Sequence, residues 1–430
     1  MDTNVLLGTA KMDITPTFPA ELQPAHPLRQ DAASESVRRL YARVAVFQYT
    51  SKRSRPQYAV VVSADIIYFV DQRIDSLRKQ LLEQWGIPGE AIVFQGTHTH
   101  SAPCPGSRFG EAFDGPYRTF IELLETSIVQ GVERAIANLE PVAAERGSGS
   151  CGFATNRRKR EDGKIVMAPC DEGPTDPEVT VIRFRKRDGR EKCVFIHYAC
   201  HPTTTYDNAF SSEFPGVAVE QVEAALGHDA TVFYLQGCCG DIRPAVVRDG
   251  RYYAGSNLEV SRYGCELAAT VLGVLVSRME PLRFVPFECR SAQVRLPFLS
   301  QPSADELEKH RDKSDGLGTW SRMLLDHPDR NVPYELLWIG YIRLADGLAF
   351  LAMNGEVVVE YGLYTKRVFG GKVLPMGYSN GHTTYIPTAA QLKEGGFEAH
   401  DVFYASGRPS PYDLSIEQAI KEAIVRLVQQ

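Results

Sequence analysis

The chain has 430 residues, 43% hydrophobic and 23% charged, the balance of a soluble globular protein with room for one large domain or two. A net charge of −6 and a pI near 6.0 exclude a general attraction to nucleic acid or acidic membranes, and no segment approaches the length of a membrane span. Two basic clusters, Arg157-Arg158-Lys159-Arg160 and Lys52-Arg53-Ser54-Arg55, lack the interleaved aromatics of a single-strand binder and read as solvated loops.

The elements alternate along the chain. Residues 5–14 read as a strand closed by Thr15-Pro16, and 39–49 with 57–64 as a pair of strands. Residues 72–84 have helical apolar spacing and stop before Gly86-Ile87-Pro88. A short buried strand follows and runs into Gln95-Gly96-Thr97-His98-Thr99-His100-Ser101-Ala102-Pro103. Residues 117–139 read as a long amphipathic helix with Phe120, Leu123, Leu124, Ile128 and Val132 on or near one face. Residues 178–184 and 192–198 are strand-like around a turn at 186–189. Residues 217–226 read as a helix opened by Pro215-Gly216, 231–235 as a strand and 259–278 as a helix. Residues 284–296 read as an extended edge strand, and 304–326 as polar and helical. Residues 336–344 and 348–353 form a hairpin over Ala345-Asp346-Gly347, whose Asp-Gly pair is a turn signal. Residues 415–428 close the chain as an amphipathic helix. With no Pro/Gly/Ser linker and no repeat period, this pattern predicts an α/β fold. It would be a single large domain over 1–430, a mixed β-sheet core flanked by helices, with 301–333 a candidate peripheral helical insertion.

Met1-Asp2-Thr3-Asn4 carries no basic region and no long apolar stretch follows, so a secretory leader is not expected. Nine cysteines, an odd number with no CxxC spacing, are expected as free thiols of a cytoplasmic protein.

The chemistry concentrates where strands end. In an extended segment residues i and i+2 point the same way, so His98 and His100 face one side at the carboxyl end of a strand, where α/β proteins build their sites. Such a pair is either two hydrogen-bonded loop histidines or part of a metal site. A second apolar run, 194–196, leads through His197-Tyr198-Ala199-Cys200 to His201-Pro202-Thr203-Thr204. Catalytic zinc takes about three protein ligands from distant segments and leaves a position for water, and the long separation of His98 from His201 suits that kind. The alternative is that His201 only terminates its strand. A third segment, Leu235-Gln236-Gly237-Cys238-Cys239-Gly240-Asp241-Ile242-Arg243-Pro244, enters a glycine-flanked turn where backbone can approach a ligand closely. Cys238 and Cys239 read as small packing residues there rather than nucleophiles. In the fourth, Asn354-Gly355-Glu356, the glutamate reads as opening a helix, where a carboxylate also suits the dipole. The last, 378–388, packs polar groups and two tyrosines into a loop.

Taken in order, Gly96–Pro103 (GTHTHSAP), Phe153–Arg157 (FATNR), His197–Thr204 (HYACHPTT), Ser211–Gly216 (SSEFPG), Leu235–Pro244 (LQGCCGDIRP), Asn354–Glu356 (NGE), Tyr378–Thr388 (YSNGHTTYIPT) and Gly395-Gly396-Phe397 resemble the neutral/alkaline ceramidases. The resemblance spans most of the chain, from Gly8 to Phe397. It implies one zinc ion held by His98, His201, Glu356 and Tyr385. It places His100 beside the metal, where it would help stabilise the reacting carbonyl, and Arg157 of the Asn156-Arg157 pair along the site. Two imidazoles, a carboxylate and a phenol would partly offset the charge of zinc and leave room for water.

The departures also inform. The resemblance implies a serine at the metal where this chain has Arg243, and a later tyrosine where it has Phe397. With the last residue at Gln430, the additional C-terminal domain of the ceramidases is expected to be missing. A buried guanidinium at the pocket floor would disfavour two alkyl chains and favour a carboxylate, phosphate or polyhydroxyl group. Alternatively Arg243 turns away and pairs with Asp241 or Glu213. The function expected is a zinc-dependent hydrolase, acting through metal-activated water on an amide or ester of a polar or anionic small substrate, with no nucleic-acid partner and with homo-oligomers left open. Two readings stand beside it: a ceramidase-like lipid amidase with a reorganised pocket, and a binding protein that keeps the fold without turnover. Retention of all four ligand types argues against the last.

Overall fold

A computed structural model describes residues 5–22, 29, 31–51, 54–106, 115–227 and 230–430. Met1-Asp2-Thr3-Asn4, and Lys52 and Arg53 of the second basic cluster, lie outside the described residues. The architecture is a large mixed sheet flanked by helices, as the sequence predicts. One twelve-stranded sheet runs in the order Val373–Met376, Leu348–Met353, Tyr334–Asp346, Glu280–Pro297, Glu140–Ser150, Val5–Asp13, Tyr41–Ser51, Ser54–Ala64, Ile92–Gly96. A branch of Glu178–Lys186, Glu191–Tyr198 and Thr231–Gln236 leaves it at Glu140–Ser150.

Period-two alternation sorts the side chains. Along Tyr41–Ser51 and Ser54–Ala64, Val44, Val46, Val60 and Val62 face the helices Asp71–Trp85 and Arg118–Ala137. Their neighbours Ala45, Phe47, Ala59 and Val61 face inward and meet Phe184, Phe195, Phe233 and Phe350 from the far strands. Both faces of the sheet are therefore buried, so these strands read as near-continuous apolar runs. The helices Glu213–Ala225 and Asn257–Val276 cover the branch, and Ile416–Gln429 covers the Glu280–Asp346 side. No helix among the described residues is long and apolar enough to cross a membrane.

Several expectations need correction. The strand expected at an edge over 284–296 runs from Glu280 to Pro297 and joins two parts of the sheet: Glu280–Leu282 pair with Glu140–Ser150, and Arg283–Pro297 with Tyr334–Asp346. The helix expected from Val217 begins at Glu213, and Pro215 sits in its first turn, where its missing N–H costs nothing. The region 304–326 is two helices, Ala304–Glu308 and Gly316–Asp326, each entered through its own cap, Ser303 and Asp315. The basic run at 157–160 is not a solvated loop. It lies in the strand Ala154–Glu161, with Arg157 and Arg158 buried.

Three strand pairs of the large sheet are parallel and enclose a helix each. Ser54–Ala64 and Ile92–Gly96 flank Asp71–Trp85, Glu191–Tyr198 and Thr231–Gln236 flank Glu213–Ala225, and Leu348–Met353 and Val373–Met376 flank Val359–Val368. Their carboxyl ends meet on one buried side chain. Gln95 Nε2 donates to Gln236 O at 2.8 Å and to Gly377 O at 2.9 Å, and Gln95 Oε1 accepts from Gln236 N at 3.0 Å. Gln95 is wholly buried.

Two measurements follow from this packing. Gln95→Glu keeps the shape and removes the NH2 group, taking the side-chain donor from Gln236 O and leaving Gly377 O with the Ser379 hydroxyl alone. An orphaned buried group costs about 1–3 kcal/mol, so urea unfolding should read a loss of about 1–3 kcal/mol; no measurable loss would show the amide to be dispensable. All nine cysteines are unpaired, and most are spread over separate buried or half-buried segments. A denaturing thiol titration should therefore count nine free thiols, and a shortfall of two or more would mean that a disulfide forms.

Candidate active site

The strand Ile92–Gly96 stops at Gly96, and His98 adopts a left-handed backbone with φ 68°. Simple alternation along a strand therefore does not bring His98 and His100 together. A turn does, and their ring centroids lie 4.8 Å apart. His98 Nδ1 is 2.8 Å from Ile67 O, and its ring stacks on Tyr378 at 3.9 Å. His201 follows the strand Glu191–Tyr198, with Nδ1 2.6 Å from Cys239 O and 3.1 Å from Ile242 O. Those carbonyls accept only if each ring carries its proton on Nδ1. Both Nε2 lone pairs are then turned inward.

They face a carboxylate. Glu356 Oε2 lies 3.4 Å from His98 Nε2 and 3.3 Å from His201 Nε2. Glu356 does not open a helix as expected. It forms the two-residue strand Glu356–Val357, and the helix starts at Val359. That strand pairs in parallel with Tyr385–Ile386, with Glu356 opposite Tyr385. The backbone is close here: a Cβ on Gly240 would fall 2.6 Å from Glu356 O, so only glycine fits.

The electrostatics are those of a cation site. Burial, then the Arg157 charge, pushes His201 down to about 3, so its imidazole is neutral. Burial and the neighbouring imidazoles hold His100 well below the usual histidine range. Burial opposes ionisation of Glu356, but its histidine neighbours hold it well below the usual carboxylate range. The Nε2 atoms of His98 and His201 and a carboxylate oxygen of Glu356 thus converge on one point. His201 Nε2 and Glu356 Oε2 are buried without a hydrogen-bond partner. The ligand atoms of His98, His100 and His201 lie within 4.8 Å of one another. These donors fit a divalent ion of the zinc type, which takes nitrogen and oxygen ligands.

Arg157 is brought in by a register shift in its strand between Asn156 and Arg158, which lets adjacent residues both turn inward. Its Nε donates to Glu398 Oε1 at 2.7 Å, and its Nη2 to Gly240 O at 2.7 Å and to Tyr385 OH at 3.0 Å. Asn156 Nδ2 donates to Pro174 O and Asp241 Oδ2. Burial, with the Glu356 charge, keeps the Tyr385 phenol well above its usual value, while Arg157 pulls the other way. Phe397 packs edge-on against Tyr385 at 5.6 Å.

Arg243 is not part of this cluster. Its Nη2 donates to Thr203 O at 3.1 Å, and its guanidinium lies over Tyr252 at 4.3 Å. It pairs with neither Asp241, which accepts from Val359 N, Asn156 and Gln391, nor Glu213, which accepts from Thr204, Thr205 and Phe214 N. Burial pushes the Cys239 thiol up to about 12 and Cys238 well above its ordinary value, which disqualifies both as thiolate nucleophiles.

Two residues escaped the sequence reading. His382 Nε2 lies 3.5 Å from Glu356 Oε1, and its ring stacks on Tyr68 at 4.0 Å. Glu398 fixes both Arg157 and Arg158. The only signals were His382 inside the polar 378–388 loop and Glu398 directly after Phe397. His382 also walls a cavity of about 210 Å3. A second cavity, about 680 Å3 and lined by Leu317, Trp320 and Tyr404, touches none of the site histidines.

By sequence the chain matches no family model and no curated protein. By structure it is similar to a ceramidase complexed with C2, with 18% identity and a TM-score of 0.75 over 99% of this chain and 75% of that one. It is similar also to the neutral ceramidase from Pseudomonas aeruginosa, with 17% identity and a TM-score of 0.75 over 99% of this chain and 74% of that one. The sheet, its flanking helices and the resemblance read from the motifs thus agree, and the chain has the fold of the neutral ceramidases.

Proposed function

We propose that this chain is a metal-dependent hydrolase, zinc being the ion its donors suit best, that cleaves an amide or ester bond of a small polar substrate. One observation carries the reading: two imidazoles, each locked by its Nδ1 to a backbone carbonyl, turn their Nε2 atoms onto one carboxylate oxygen at 3.3 and 3.4 Å. Without a cation these lone pairs repel. His98, His201 and Glu356, with Tyr385 beside Glu356, would hold the ion. When bound, such an ion lowers the pKa of water to about 7 and polarises a carbonyl oxygen.

The remaining residues supply the rest. With Ile67 O accepting from its Nδ1, His98 can accept at Nε2 from His100 Nε2, 3.2 Å away. His100 is then a fixed N–H donor at the centre, suited to an oxygen that gains negative charge as a carbonyl is attacked. Arg29 steadies it by donating to His100 O and Ser101 Oγ. Arg157 stays charged and favours ionisation of Tyr385. The fold of the neutral ceramidases supports hydrolytic chemistry at this place, and the polar preference rests on charged groups near His382 rather than on Arg243.

Elemental analysis should find one divalent ion per chain in the wild type and much less in His98→Ala and His201→Ala; equal metal in all three would sink the site. His100→Ala should keep the ion and lose about a hundred- to a thousandfold in kcat toward a simple acetyl ester, the usual effect of deleting one oxyanion donor. If His100→Ala loses the ion instead, His100 is a ligand and the donor role falls.

A further inference from the structure

The cavity of about 210 Å3 behind His382 shares that ring with the candidate active site, because His382 Nε2 lies 3.5 Å from Glu356 Oε1. Its walls carry two cations, Arg330 and Arg408, and two carboxylates, Asp71 and Glu335, with Phe298 as an apolar side. These groups are held from behind. Arg408 Nη2 donates to Glu335 Oε1 at 2.6 Å and to Thr383 O, and Glu335 Oε2 accepts from Tyr412 OH at 2.6 Å. Asp71 Oδ1 accepts from His382 N at 3.2 Å.

From this arrangement we infer that the cavity is a substrate subsite for a small polyhydroxylated group, such as a sugar ring or short polyol, attached to the bond cleaved at the neighbouring centre. The inference rests on the hydrolase reading for its position. Its chemistry rests on charge balance. Burial pushes Asp71 up to about 6, so it is ionised at neutral pH, and Arg408 keeps Glu335 ionised against the cost of burial. Two cations and two anions then cancel, so the cavity does not draw in a bare ion. It still offers fixed guanidinium N–H groups and carboxylate lone pairs side by side. A hydroxyl both donates and accepts, and a ring of hydroxyls can use both kinds of wall at once. An alkyl chain would add no polar partner to the contacts these charged groups already make with one another, and would displace the water that meets their remaining capacity. Size points the same way. At about 30 Å3 per water the cavity holds about seven waters, and it is smaller than the about 300–1,000 Å3 of a drug-sized site.

The test compares two amides of similar shape, N-acetylglucosamine and N-cyclohexylacetamide, by ligand-observed NMR titration of the metal-loaded full chain. N-acetylglucosamine should bind at least about tenfold more tightly, since one hydrogen bond to a charged group is worth that or more. Asp71→Asn and Arg330→Gln should each remove most of the preference. The amide introduced by Asp71→Asn can still accept from His382 N through its carbonyl, and Arg330 lies on the short turn Pro328–Arg330, so neither change need unfold the protein. Equal binding of the two amides, tighter binding of the cyclohexyl amide, or a preference unchanged in both variants would overturn the subsite. Hydrolysis of p-nitrophenyl acetate, which needs no such subsite, is measured alongside. Its absence with the sugar preference intact would sink the hydrolase and leave a sugar-binding cavity. Its presence with no sugar preference would do the reverse.

Discussion

The site exists because three βαβ units end on a single amide. A parallel pair with its crossover helix positions its own two strands, but nothing local fixes one unit against another. Gln95 does so with one side chain that donates twice and accepts once, to the backbones at Gln236 and Gly377. The loops that leave these three ends carry the chemistry: 97–101 with His98 and His100, 237–240 with the Cys239 carbonyl behind His201, and 377–385 with Tyr378, His382 and Tyr385. A glutamine suits the hub because its two ends are opposite in hydrogen-bonding sense, and a wholly buried amide with all its partners met is a rigid joint.

Rigidity here is accompanied by strain. His98, Tyr378 and Asn380 all have positive φ, near 54–68°, which for residues other than glycine costs about 1–3 kcal/mol each. Each is overdetermined by its neighbours. Asn380 Oδ1 accepts from Phe94 N at 2.9 Å while Asn380 N donates to Phe94 O at 2.7 Å, so the 377–382 loop zips onto the strand that precedes His98. The left-handed turn at His98 then sets its ring on Tyr378 and points Nε2 at Glu356. The stored cost goes into aiming the Nε2 atoms of His98 and His201 at one carboxylate oxygen of Glu356. This differs from a protein that happens to have histidines near a strand end, since those would turn their nitrogens toward donors or water.

What could be read from the chain follows from range. Apolar periodicity is local, and it located the helix over Arg118–Ala137, the hairpin at Gly347 and the strands before His98 and His201 within a few residues. Strand 280–297 was harder, because its burial alternates weakly and its two sides pair with different strands, so it looked like an edge. Glu356 reads as a helix opener because Val359–Val368 does begin three residues later; only its pairing with Tyr385 shows it as a strand. The partners that define the site are remote. Arg157 and Glu398 are 241 residues apart, and no spacing rule reaches that far.

Arg243 sits between an aromatic ring and a backbone carbonyl. A guanidinium over an aromatic face and bonded to a carbonyl can be accommodated without an anion. Arg243 meets both conditions through Tyr252 and Thr203 O, and Thr203 is two residues beyond His201. These contacts tie Arg243 to the loop that carries His201. The cation that does face the centre is Arg157, and its direction is set by Glu398. That carboxylate is shared with Arg158, one oxygen to each guanidinium at 2.7 and 2.9 Å. With its Nε engaged there, Arg157 is left with Nη2 turned toward Tyr385 and Gly240 O. Arg157 thereby places a fixed guanidinium N–H on the Tyr385 oxygen and opposes the burial and the Glu356 charge that hold this phenol above its usual value.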